Sequence, residues 1–181
     1  HAPAALVLIL DNSPSSGVVS GGTPVLERLR SAARTVLNKA TPEDAVWLIT
    51  SDGLARRAPV ERLRAAADSL HPSEIRLDLG EALARAGDLL ANADRPGEVV
   101  VLSDLQRSAL SGVRLPVPVL VGMPDLVPPL NLGVATLDPG PQPWSPGENR
   151  VRVRLAGDSG RSSPLSVQLG DRTGRPQLGS V

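Results

Sequence analysis

Cysteine, tyrosine and phenylalanine are absent from this chain, and methionine and lysine occur once each, the lysine at Lys39. Without cysteine there is no disulfide, no thiolate zinc site and no cysteine nucleophile. Trp47 and Trp144 are the only aromatic residues, so a core has to be built from Leu, Val, Ile and Ala. Net charge is missing too, because 19 basic residues balance 19 acidic ones. That balance gives no argument for nucleic acid, or for an anionic membrane, as a partner. No window approaches the roughly 20 apolar residues of a membrane helix, and no secretory signal peptide is visible.

What is present is enough apolar residue (41% of 181) for one sizeable domain and a small addition. The chain opens on His1 and enters a strand almost at once, so it is expected to be a piece of a longer protein whose anchors lie elsewhere. Membrane contact within this piece is not expected.

The organising stretch is Leu6-Val7-Leu8-Ile9-Leu10-Asp11-Asn12-Ser13-Pro14-Ser15. An apolar run of this length suits a strand buried on both faces of a parallel sheet. Asp11 then falls at the strand's carboxyl end, where open α/β sheets place their ligands. Asp11, Ser13 and Ser15 are hard oxygen donors, suited to Mg²⁺ and also to Ca²⁺ or Mn²⁺. The competing reading is an ordinary strand-to-loop turn, in which Asp and Ser bond backbone amides.

Further along, Gly17 to Gly22 reads as a flexible loop, and Thr23 as the N-cap of a helix over about 24–39. Residues 45–50 read as a second strand, 54–58 as a short edge strand and 59–70 as a second helix. A third helix is expected over 78–92, with Asp78 as N-cap. Glu98 to Asp104 repeats the opening pattern: a buried strand ending in Ser103-Asp104. One helical turn over 105–110 and a strand over 117–122 follow. Residues 124–130 form a proline-rich linker, and 131–181 look like the opening part of a β-sandwich, with strands near 132–137, 151–155, 165–169 and 176–181. Arg152 and Arg154 alternate as on a solvated strand face.

Strands alternating with helices imply a doubly wound, mostly parallel α/β sheet. In the order 3-2-1-4-5 the strands ending at Asp11 and Asp104 are neighbours, about 4.8 Å apart. Two carboxylates at that range repel unless something compensates, and a divalent cation held by Asp11, Ser13, Ser15 and Asp104 would do so. Arg107, folding back, is the alternative.

The D-x-S-x-S run at Asp11, Ser13 and Ser15, the Ser103-Asp104 strand end and the run Leu77-Asp78-Leu79-Gly80-Glu81-Ala82-Leu83 together resemble the von Willebrand factor A family over residues 4–123. The resemblance implies a Rossmann-like fold and a metal-ion-dependent adhesion site. The family's middle motif usually supplies a Thr ligand, and here Leu77 stands in its place. Asp78 is read as a helix cap in preference to a substitute ligand. Asp11-Asn12-Ser13 and Ser103-Asp104-Leu105-Gln106 most resemble the A domains of Bat-type (aerotolerance-associated) bacterial membrane proteins. That group implies membrane anchoring, a domain on the periplasmic side and a link to MoxR-type AAA ATPases.

Three functions follow. The leading one is a non-enzymatic module that binds an acidic side chain of a protein partner through the ion. The second is an A-like scaffold with a degenerate, metal-free site. The third is metal-dependent phosphoryl transfer, which lacks a second Asp two residues after Asp11 and has only His1 and His71 as bases.

Overall fold

The computed structural model describes residues 2–105, 115–125, 132–138, 140 and 151–157. The chain divides into two compact units, His1–Val127 and Pro128–Val181.

The first unit is built on β1 (Ala5–Leu10), with every residue buried. β1 pairs in parallel with β4 (Ala45–Ile49) on one side and β6 (Gly97–Leu102) on the other. β5 (Ala55–Arg57) closes one edge antiparallel to β4, and β7 (Val119–Gly122) closes the other parallel to β6. The order β5-β4-β1-β6-β7 is the doubly wound arrangement expected from the alternation of elements.

Alternate residues of each strand face opposite sides, and both sides are covered. Val7, Ile9, Trp47, Ile49, Val99 and Val101 pack with Leu77 and with Leu79, Ala82, Leu83, Ala86 and Leu90, the last five from α3 (Leu79–Ala91). Leu6, Leu8, Leu10, Val46, Leu48, Val100 and Leu102 pack against α1 (Val25–Leu37) and α2 (Val60–Asp68). That double burial is why β1 and β4 read as unbroken apolar runs. Gly97 is closely packed: a Cβ there would meet Leu90 Cδ2 at 2.7 Å, so the leucine side chain would have to shift.

Arginines tie α1 to α2. Arg64 of α2 donates to Leu37 O at 2.9 Å, Arg30 of α1 donates to Leu70 O, and Arg34 bonds Asp68 at 2.6 Å. Each carbonyl lies at or just past a helix end, where it has no partner within the helix.

Two expectations near α1 need correction. Thr23 is not the cap: the N-cap position is Pro24, without a side-chain bond, and Thr23 belongs to β3 (Thr23–Pro24). The Gly17 to Gly22 stretch is not an open loop either. Val19–Ser20 (β2) pairs antiparallel with β3, turning through Gly21 (φ +58°) and Gly22 (φ +81°). Two successive positive φ values are what a two-residue hairpin turn demands, and glycine supplies them without strain.

In the second unit β8 (Leu132–Asp138) and β9 (Arg152–Gly157) form an antiparallel pair, running from Leu132↔Gly157 to Asp138↔Arg152. Arg152 and Arg154 are exposed, as their alternation suggested. The helical turn expected at 105–110, apart from Leu105, and the strands expected at 165–169 and 176–181 lie outside the described residues.

Candidate functional site

β1 ends at Leu10 and the Asp11 N–H still bonds Leu102 O at 2.9 Å, so the ladder carries Asp11 to the carboxyl rim beside β6. Asp11 is 2% exposed. Its Oδ1 accepts from the Ser13 N–H at 2.9 Å, the turn geometry that Asp favours. Its Oδ2 accepts from Ser103 Oγ at 2.5 Å. Among the described residues, no ion pair reaches this carboxylate. A buried carboxylate is expensive to hold unless hydrogen bonds or a counter-charge compensate it, and these two hydrogen bonds supply part of that compensation.

The chain then turns through a 3-10 segment, Pro14–Gly17. Ser13 is buried and Ser15 half-buried, and their hydroxyl oxygens lie 3.2 Å apart. That separation lets both oxygens reach one small cation. Ser16 is 1% exposed, and its Oγ has no hydrogen-bond partner among the described residues.

Asp104 lies one residue past Ser103 and is half-buried. From the same strand end Ser103, which is fully buried, bonds Asp11 through its hydroxyl. Ser103 Oγ also accepts from the Leu105 N–H at 3.0 Å. Leu105 adopts φ +46°, an unfavourable backbone conformation for a leucine, at the point where the chain leaves the rim. Arg107 lies outside the described residues.

Leu77 is 1% exposed and packed into the apolar core, so it offers nothing to an ion. Asp78 caps α3, accepting from the Glu81 N–H at 2.9 Å. Among the described residues, no three acidic, histidine or cysteine side chains gather closely enough to hold a metal. An ion at this rim would therefore depend on hydroxyl oxygens as well as carboxylates. Asp11, Ser13 and Ser15 fit that requirement: all are hard donors, gathered on one turn.

Sequence reasoning missed Asn12. It is 6% exposed. Its Oδ1 accepts from Ser51 N (3.0 Å) and Ser51 Oγ (2.6 Å), and its Nδ2 donates to His71 O at 2.9 Å. Its backbone carbonyl accepts from Ser73 N at 2.6 Å. An Asn between Asp and Ser in a turn gives no signal that it will bond residues some 40 and 60 positions away.

At the end of β4 a second acid takes a different partner. Asp52 bonds Arg56 through both oxygens, with the Oδ1 contact at 3.1 Å, and accepts from Thr50 Oγ1 at 2.9 Å. The Arg56 hydrogen bond is the main cause holding the Asp52 carboxyl at about 2, below its usual 3.8. Asn12, Thr50, Ser51, Asp52, Arg56, His71, Ser73 and Ile75 line a cleft of about 430 Å³. His71 is exposed, as expected for a loop histidine. Trp47 is 8% exposed and serves the core, with the Arg57 guanidinium 5.1 Å from its ring centre.

A doubly wound sheet whose central strand ends in a buried acid and a hydroxyl-bearing turn defines a Rossmann-like α/β class, a class that binds its ligands at the carboxyl ends of the strands. Within that class, the chain belongs to the von Willebrand factor type A domain family, whose profile matches residues 6–106. Domains of this type are protein-interaction modules.

The fold is similar to two crystal structures of the type V pili tip protein Mfa5 from Porphyromonas gingivalis. One contains its three N-terminal domains (20% identity, TM-score 0.45, 56% of this chain and 20% of that one). The other contains its vWF domain (20% identity, TM-score 0.44, 56% of this chain and 38% of that one). The matched region is thus well under half of either structure's length. No curated protein matches the chain. Among the described residues, no helix is long and apolar enough to cross a membrane.

Proposed function

We propose that the first unit is a non-enzymatic interaction module that holds a divalent cation, Mg²⁺ by preference, through Asp11, Ser13, Ser15 and Asp104. An open coordination position on that ion would take an acidic side chain of a protein partner. The observation that carries this reading is the Asp11 carboxylate, buried at the rim with no cationic side chain bonded to it among the described residues. A cation would neutralise it, and the Ser13 and Ser15 hydroxyls are placed to share that cation.

A calorimetric titration with Mg²⁺ and with Mn²⁺ tests the reading. Saturable uptake of one ion, abolished by Asp11→Ala with the fold retained, is the expected result. Partner capture that survives excess chelator would contradict it.

One observation favours a second reading, a metal-free scaffold. Leu77 fills core space where the family resemblance implies a hydroxyl ligand, so the site has one donor fewer. Absence of any heat of binding at millimolar ion would select this reading.

The sequence resemblance extends the proposal to the whole protein. The parent chain would be a membrane-anchored bacterial protein of the Bat type, with this unit on the periplasmic side and a MoxR-type AAA ATPase system as a candidate partner. Membrane helices in the full open reading frame would agree with that placement, and a frame without them would contradict it.

A further inference from the structure

The loop between α2 and α3 supplies no ligand through Leu77, whose side chain is committed to the core. The same loop nevertheless reaches the rim by another route. His71 O accepts from Asn12 Nδ2 at 2.9 Å, and Ser73 N donates to Asn12 O at 2.6 Å. From the other side, Ser51 at the end of β4 donates twice to Asn12 Oδ1, at 3.0 and 2.6 Å. Asn12 is therefore held by four hydrogen bonds from two separate segments, and it lies between Asp11 and Ser13 in the chain. Its amide is used at both ends, oxygen to two donors and nitrogen to one acceptor, so its orientation is fixed.

The geometry points to Asn12 as a positioning residue for the ion. Through it, the 71–73 loop and the end of β4 set the spacing of the Asp11 carboxylate and the Ser13 and Ser15 hydroxyls. The loop thus acts on the site by orientation where Leu77 rules out direct ligation. This inference rests on the metal reading above. Its physical basis is that groups fixing the direction of metal ligands typically change affinity by about 10- to 100-fold when removed, without touching the metal. A hydroxyl that must find its direction at each binding event binds more weakly than one already aimed.

The 71–73 loop and Ser51 also line the cleft beside the rim. Ion binding at the Asp11 turn would then be felt at Ser73, whose N–H is bonded to Asn12 O.

The test is calorimetric titration of the whole chain with Mn²⁺, combined with amide hydrogen exchange. Wild type is expected to take one ion, with slower exchange at the Ser73 amide when the ion is bound. Asn12→Ala should bind Mn²⁺ at least tenfold more weakly, and the ion should no longer slow exchange at Ser73. Ser51→Ala removes only the hydroxyl donor and should fall between the two. A purely structural role would lower the thermal midpoint of Asn12→Ala and leave the Mn²⁺ affinity of its folded molecules unchanged; that result overturns the proposal. Should Asn12→Ala fail to fold, Ser51→Ala decides, and wild-type affinity in that variant overturns it. The metal reading fails separately, if wild type itself takes no Mn²⁺.

Discussion

Asp11 and Asp52 lie at the carboxyl ends of neighbouring strands, β1 and β4, yet they have different kinds of partner. Asp52 has an arginine four residues on, bonded through both carboxylate oxygens, which holds it ionised far into acid. Asp11 is the more deeply buried of the two, and its bonded partners are a backbone amide and a serine hydroxyl. A buried acid bonded to neutral donors has no counter-charge among the described residues, and the nearby hydroxyls are of the type that accompanies a hard cation. An acid's position at a strand end therefore says little by itself. What sets the two acids apart is whether the fold has given them a counter-charge.

The contrast can be broken at several points. Leu77→Thr puts a hydroxyl back where the family resemblance implies one, at the expense of core packing. The variant should lose about 2–4 kcal/mol in a urea titration, because a fully buried leucine is cut down and a polar atom is buried with it. A loss below about 0.5 kcal/mol would mean that Leu77 is not held by the core.

Removing each acid in turn tests the comparison itself. With Mg²⁺ at about 100 times its dissociation constant, wild type should gain about 2.7 kcal/mol of apparent stability. Asp11→Ala should gain nothing, and Asp52→Ala should gain as much as wild type. Equal behaviour of the two variants in a thermal shift assay would erase the distinction.

Ser103→Ala leaves Asp11 Oδ2 without its donor. It should cost about 1–3 kcal/mol without ion, measured by chemical denaturation. Added Mg²⁺ should restore part of the loss.

The smallest effect belongs to Arg56→Ala. The Arg56–Asp52 pair is partly exposed, with side-chain exposures of 44% and 30%, so its removal should cost at most about 1 kcal/mol and less in high salt. Its pH signature is more specific. The folded-state value for Asp52 is depressed, from 3.8 to about 2. The contribution is therefore complete above 3.8 and is lost as pH falls toward 2. Asp44, lowered chiefly by the Thr41 backbone N–H, acts in the same direction. A carboxyl NMR titration should show Asp52 moving back up toward 3.8 in Arg56→Ala.

Much of this was legible in the sequence for a physical reason. Continuous apolar runs at 6–10 and 45–49 betray strands buried on both faces, and each run's length fixes where its carboxyl end falls. That is why the sequence alone puts Asp11, Ser13 and Ser15 just past the end of a buried strand. Asp78 as a cap was equally readable, because capping is local. The failures were of two kinds. Thr23 offered a plausible cap but was drawn into a hairpin, since Gly21-Gly22 favours a tight turn over an open loop. Asn12 and the Arg30, Arg34 and Arg64 cross-links between helices depend on tertiary neighbours, and no local pattern announces such partners. The sequence marks Ser103 as part of a strand end, but its bond to Asp11 follows from the register of β1 on β6.

The most direct measurement is crystallographic: anomalous scattering from Mn²⁺ soaked into the crystallised chain. The account predicts a single strong peak within about 2.0–2.6 Å of an Asp11 carboxylate oxygen and of the Ser13 and Ser15 hydroxyls, with Asp104 on the same ion. A map with no peak at the Asp11 turn, or with the ion at Asp52 instead, would contradict it.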